Sequence, residues 1–150
     1  VWRALPKPSG EIATINRLLA WPTAGVSLIT ILFGVVVTGA GPHAGDVDTP
    51  RNGLELEIWQ HYHSWPGYVM LGLLALQLLS QWLVSRKLWG DLATRILLLT
   101  FTFAAMQAIV GILQARMGVP ALLVGIHMLG AASLSALVTF QLLSARKINR

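Results

Sequence analysis

Two histidines carry the chemistry that this sequence offers. His127 stands in the stretch Gly118-Val-Pro-Ala-Leu-Leu-Val-Gly-Ile-His-Met-Leu-Gly-Ala-Ala132 and is the only ionisable side chain between Arg116 and Arg146. A titratable group alone in so apolar a run needs a partner or a ligand, because a bilayer interior supplies neither water nor counter-charge. His63 lies in a second apolar run. A neutral imidazole nitrogen is a common metal ligand, so two such rings brought together could hold a metal between them. The chain has no cysteine, which excludes disulfides, iron–sulfur ligation and thiol chemistry within these residues. It contains no nucleophile–base pair, no phosphate-binding glycine motif and no zinc-type cluster, so no catalytic residue is assigned.

The elements that must position these rings are membrane spans. Hydrophobic residues make up 55% of the 150 residues and charged ones 11%, with a mean hydropathy of +0.65. Soluble domains carry roughly 25% charged residues. The apolar runs predict four spans, at about 17–40, 58–84, 93–115 and 120–144. Each is long enough for a hydrocarbon core of roughly 30 Å. Residues 1–16 read as a polar lead-in, with Trp2 and Trp21 at headgroup level. Pro22 is expected in the first turns of its span, where a missing N–H costs little. Pro66-Gly67 predicts a kink or local unwinding in the second span. Residues 41–57, rich in Gly, Pro, Asn and Asp, form a loop that holds four of the six acidic residues.

Nine of the eleven basic residues fall on one side of this arrangement: Arg3, Lys7, Arg17, Arg86, Lys87, Arg95, Arg146, Lys147 and Arg150. The positive-inside rule places both termini in the cytoplasm and the 41–57 loop outside. Four spans with short connections predict an all-α, transmembrane antiparallel four-helix bundle in a single domain. Small residues such as Gly34, Gly111 and Gly130 allow close helix contact. The net charge of +5 sits at span ends rather than in a stripe, which does not indicate nucleic acid.

His63 and His127 stand at matching depth, each some 6 to 8 residues into its span, or about 10 Å below the outer surface. Their spans are parallel and diagonal in an up-down bundle. Two imidazoles facing each other across a bundle core are the arrangement that ligates a haem iron on both faces. The alternative is two unrelated histidines bonding backbone carbonyls. His61 points about 200° away from His63 on a helix and could pair with Glu57; it could replace His63 if the helix unwinds at Pro66. His43, in the glycine-rich loop, could touch a haem propionate or be solvated. Arg51 and Arg116 are the only outer-side cations, suited to propionates or acting as ordinary loop charge. Gln60 is one turn from His63 and could border the site. Gln107 and Gln114 read as interhelical hydrogen-bonding groups.

At these residues the chain resembles the haem A synthase family. The string Val36-Val-Thr-Gly-Ala-Gly-Pro-His-Ala-Gly-Asp46 is similar to the family's loop after the first span of its carboxy-terminal half. Gly118 to Ala131 is similar to the start of its last span, and His63, nine residues before Gly72, matches the first histidine of that half. The resemblance covers most of residues 30–135 and is closest to actinobacterial members. It implies an eight-span architecture of two four-span repeats, each with a histidine pair. It implies haem B in the carboxy-terminal repeat, with His63 and His127 as its axial ligands, and haem O as substrate of the other. Three residues before His63 stands Gln60, where the amino-terminal repeat has a glutamate, and the loop cysteines of that repeat are missing. Both departures point to the cofactor half. A compact four-span form of the family would have to self-associate.

The expectation is therefore a bacterial plasma-membrane haem protein, partnered by lipid and by a second four-span repeat or a second copy. The whole enzyme would oxidise the methyl group of haem O to the formyl group of haem A, and this chain would supply electron transfer by haem B. The rival expectations are a membrane b-type cytochrome that relays electrons without forming haem A, and a haem-free assembly or transport subunit.

Overall fold

A chain that crosses hydrocarbon must satisfy its backbone N–H and C=O groups internally, so long apolar runs fold as helices. The computed structural model describes residues 14–43, 48–84 and 92–145. These form α1 (Thr14–Ala40), α2 (Leu56–Val84), α3 (Leu92–Arg116) and α4 (Ala121–Ala145). All four are long and apolar enough to cross a membrane. The expected span limits are met within three residues. Trp2, Trp89 and most of the basic residues used to assign sidedness (Arg3, Lys7, Arg86, Lys87, Arg146, Lys147 and Arg150) lie outside the described residues.

One local expectation is corrected, and of the kink or unwinding expected at Pro66-Gly67 the unwinding is not found. Pro22 is not in the first turns: α1 begins at Thr14, so the proline is interior, and it leaves the Leu18 carbonyl without its usual donor. Leu18 is exposed, near the helix start. In α2, helix runs unbroken through Pro66-Gly67, with no unwound turn. Packing against neighbouring helices keeps such a proline within a continuous spanning helix.

The helices form a four-helix bundle in which α1 packs on α2 and α4, and α3 packs on the same two. Helices α2 and α4 therefore face each other across the middle. Large apolar side chains such as Leu18, Val35, Leu122 and Leu129 are exposed, which suits a lipid-facing surface. The fully buried set includes polar residues: Thr23, Gln77 and Thr100 sit beside Leu74 at the centre. Thr23, Thr30, Thr38 and Thr100 each return their hydroxyl proton to the carbonyl four residues back, at 2.7–2.9 Å. That spares these hydroxyls an unpaired state in an apolar setting.

The buried residues are unevenly spread. In the described helices they occupy 16–27, 70–81, 94–104 and 134–141, all toward one end. We call this the amide end, after Asn16, Gln77, Gln81 and Gln141. At the other end, which holds both histidines, no described helix residue is fully buried. The two hairpins also correspond. Positions in α1 recur 77 later in α3 (Thr23 and Thr100, Gly34 and Gly111), and positions in α2 recur 64 later in α4 (His63 and His127, Gln77 and Gln141). Of these pairs, His63 meets His127 and Gln77 meets Gln141 between α2 and α4.

Candidate functional site

The histidine end is built by connections between helices. Phe33 on α1 meets Trp59 on α2 edge-on, with ring centroids 6.0 Å apart, and Trp59 meets Tyr62 at 5.6 Å. Such pairs contribute about 0.5–1.5 kcal/mol each beyond their burial. Asn52 folds the 41–55 loop back onto α1, donating its side-chain amide to the Val36 carbonyl at 2.9 Å and its backbone N–H to Gly39 at 3.1 Å. Gly39 leaves room for this contact: a Cβ there would lie 2.9 Å from the Asn52 amide nitrogen, and the Asn52 side chain would have to shift.

His63 is seven residues into α2 and His127 six into α4, so the equal depth expected from sequence is met. The two rings meet edge-on, with centroids 6.1 Å apart and planes at 81°. Each ring rests on a glycine of a neighbouring helix. A Cβ at Gly34 of α1 would stand 3.1 Å from His63 Cε1, and one at Gly111 of α3 would stand 3.3 Å from His127 Cε1. His63 Nδ1 donates to the Thr30 carbonyl at 2.9 Å. That bond fixes the tautomer and leaves Nε2 as the nitrogen with a free lone pair. His127 Nδ1 is buried without a partner, and so are Gln107 Oε1 and Gln114 Oε1 on α3. The Gln107 side chain wedges against Gly130, one turn beyond His127, where any Cβ would collide with it.

A metal ion bound end-on by two imidazoles, with metal–nitrogen bonds of about 2.0–2.1 Å, separates the ring centroids by roughly 6.3 Å. The spacing found here agrees with that figure. The ring spacing is thus of the size that one ion shared by two imidazoles requires. Among the described residues no group of three or more His, Asp or Glu side chains is poised to hold a metal, which leaves the imidazole pair as the candidate.

The remaining sequence candidates lie at the same end of the bundle. His61 is exposed, and its Nδ1 donates to the Glu57 backbone carbonyl at 2.9 Å rather than to the carboxylate. With α2 unbroken, His61 does not take the place of His63. His43 is exposed and donates from Nε2 to the Val119 carbonyl at 3.0 Å, clasping the first loop to the α3–α4 turn. Arg51, also exposed, donates to the Pro42 carbonyl at 2.8 Å. Arg116 ends α3, and Gln60 is half-buried one turn before His63. What sequence reasoning missed is the cradle. Gly34 and Gly111 were legible only as small contact residues, although their shared spacing to Thr23 and Thr100 is a signal present in the sequence.

The chain matches no family model, no curated protein and no solved structure. The functional reading therefore rests on the arrangement of these side chains.

Proposed function

We propose that this chain is a haem protein of the haem A synthase type in a bacterial plasma membrane. It folds as an antiparallel four-helix bundle with both termini in the cytoplasm, and it holds haem B between His63 and His127. The observation that carries this reading is the 6.1 Å separation of the two rings at equal depth on facing helices. When bound, the haem supplies reversible one-electron transfer. The chain's own residues do the rest. The Thr30 carbonyl accepts a hydrogen bond from His63 Nδ1 and leaves Nε2 with the free lone pair, and Gly34 and Gly111 let the rings sit close to the helix backbones. Arg51 and Arg116 supply cationic donor groups at the outer end for two propionates, and His43, its Nε2–H given to the Val119 carbonyl, holds the first loop at that end. A guanidinium has five N–H donors, so Arg51 keeps several beyond the one given to Pro42. Gln60 borders the site.

With a histidine on each face, no coordination position is left for a substrate. We therefore assign this chain the electron-transfer part. Oxidation of the haem O methyl group belongs to a second four-span repeat or a second copy. One observation favours a narrower reading, a b-type cytochrome that only relays electrons: Gln60 stands where a glutamate base would be needed.

Absorption spectra of the purified protein, oxidised and reduced, test the assignment. A low-spin b-type spectrum is expected, and His127→Ala should abolish it. A colourless protein from haem-replete cells, or an unchanged spectrum in the variant, would sink the proposal. Pigment analysis after co-expression with a haem O producer separates the two readings, since only the first yields haem A.

A further inference from the structure

The amide end carries polar chemistry that the histidine pair does not use. A cavity of about 20 Å³ lies there, lined by Asn16, Gln77, Gln81, Thr94, Gln141 and Ser144 among others. One water needs roughly 10–15 Å³, so the space suits a single small occupant.

Hydrogen bonds decide which atoms of these lining residues are left without a partner. Thr23 donates to the Leu19 carbonyl at 2.8 Å, so its oxygen accepts from Gln77 Nε2, also at 2.8 Å. Gln77 therefore turns its Oε1 to α4, where it accepts from Gln141 Nε2 at 2.6 Å. Gln141 Oε1 must then be an acceptor pointing elsewhere, and it is buried with no partner. Asn16 gives its Nδ2 to Gln81 Oε1 at 2.8 Å, which leaves Asn16 Oδ1 buried and unpartnered as well. Thr94 Oγ1 is the third such atom. All three residues are at most 5% exposed, and each unmade bond costs about 1–3 kcal/mol.

We infer that this cavity binds one water molecule, which ties α1, α3 and α4 together at the amide end of the bundle. The water donates one proton to Gln141 Oε1 and one to Asn16 Oδ1, and it accepts the Thr94 hydroxyl proton. Three bonds are the usual complement of a buried water. The chemistry excludes other small occupants. Two carbonyl acceptors repel an anion. A cation would meet no carboxylate among the described lining residues, while Arg17 and Arg95 follow directly after Asn16 and Thr94 in the chain. Because Gln141 also bonds Gln77, the water completes a polar tie through all four helices and closes the bundle at the end away from the histidines.

A structure of the full chain in lipid nanodiscs, at a resolution that shows ordered solvent, tests this directly. Density within hydrogen-bond distance of all three atoms is expected; a dry cavity whose three atoms bond one another overturns the inference. Thermal unfolding gives a second reading. Thr94→Val should lower Tm by about 2–4 °C, and Thr94→Ser, which keeps the hydroxyl, should leave Tm unchanged. Equal Tm for wild type and Thr94→Val counts against the site. So does a Tm that rises specifically with sodium or potassium relative to choline, which would assign the cavity to a cation.

Discussion

At the scale of single residues, the histidines depend on what is absent beside them. Gly34 lets the His63 ring lie close enough to α1 for Nδ1 to reach the Thr30 carbonyl. A methyl group there would need the ring to move by a few tenths of an ångström, and the ring is tethered. Gly34→Ala should therefore lower haem occupancy at least severalfold while the helices stay intact, as read by the haem-to-protein absorbance ratio beside far-ultraviolet circular dichroism. Unchanged occupancy would show that the cradle does not matter. Gly111→Ala should act less strongly, because the contact is 3.3 Å and His127 Nδ1 has no bond to lose. The sequence marked both histidines, since an ionisable group in an apolar span has few explanations. It did not mark the glycines as cradles, because in sequence they look like any small contact residue.

At the scale of elements, two features hold the helices in place. Gln77 links α1 and α4 through Thr23 and Gln141. Thr23→Val removes the acceptor and leaves a buried amide N–H unpaired, so it should destabilise the protein by about 1–3 kcal/mol, measurable by denaturant unfolding in detergent. The second feature is the α3–α4 turn. Gly118 has φ 74° and Val119 has φ 60°. The turn ends α3 with a bond from Val119 N–H to the Gln114 carbonyl at 2.8 Å. A left-handed conformation suits glycine, but a β-branched residue pays roughly 1–2 kcal/mol for it. Val119→Gly should raise stability by about 1 kcal/mol, a shift visible in the same unfolding assay; a loss would mean that the valine side chain packs to better effect than its backbone strains. The turn itself was legible from Gly118 and Pro120. The strain at Val119 was not, because valine carries no sequence signal for positive φ.

At the scale of the whole molecule, the fully buried helix residues gather at the amide end, and none among the described residues lies at the end that holds the imidazoles. Residues 63 and 127 and residues 77 and 141 are related by the same separation, 64 positions, yet Gln77 and Gln141 touch directly while the ring centroids stay 6.1 Å apart. The absence of native cysteine allows the proposed orientation to be tested by single-cysteine labelling. Asp48→Cys, in the exposed loop, should react with an impermeant thiol reagent applied to intact cells. Leu92→Cys, at the start of α3, should react only after permeabilisation. The reverse pattern would invert the topology.

The sequence by itself determined that four helices form, roughly where they begin and end, and that two imidazoles lie at similar distances into the second and the fourth. Length, apolar character and isolated ionisable groups are local properties, and a bilayer imposes its constraint on each span separately. Only the tertiary structure decided how far apart the rings stand, which glycines hold them, that α2 passes Pro66 without unwinding and so keeps His61 outside, and that the amides close one end. Those outcomes arise from helix against helix, where a single Cβ or one hydrogen bond sets the approach, and no pattern along one span encodes its neighbour's distance.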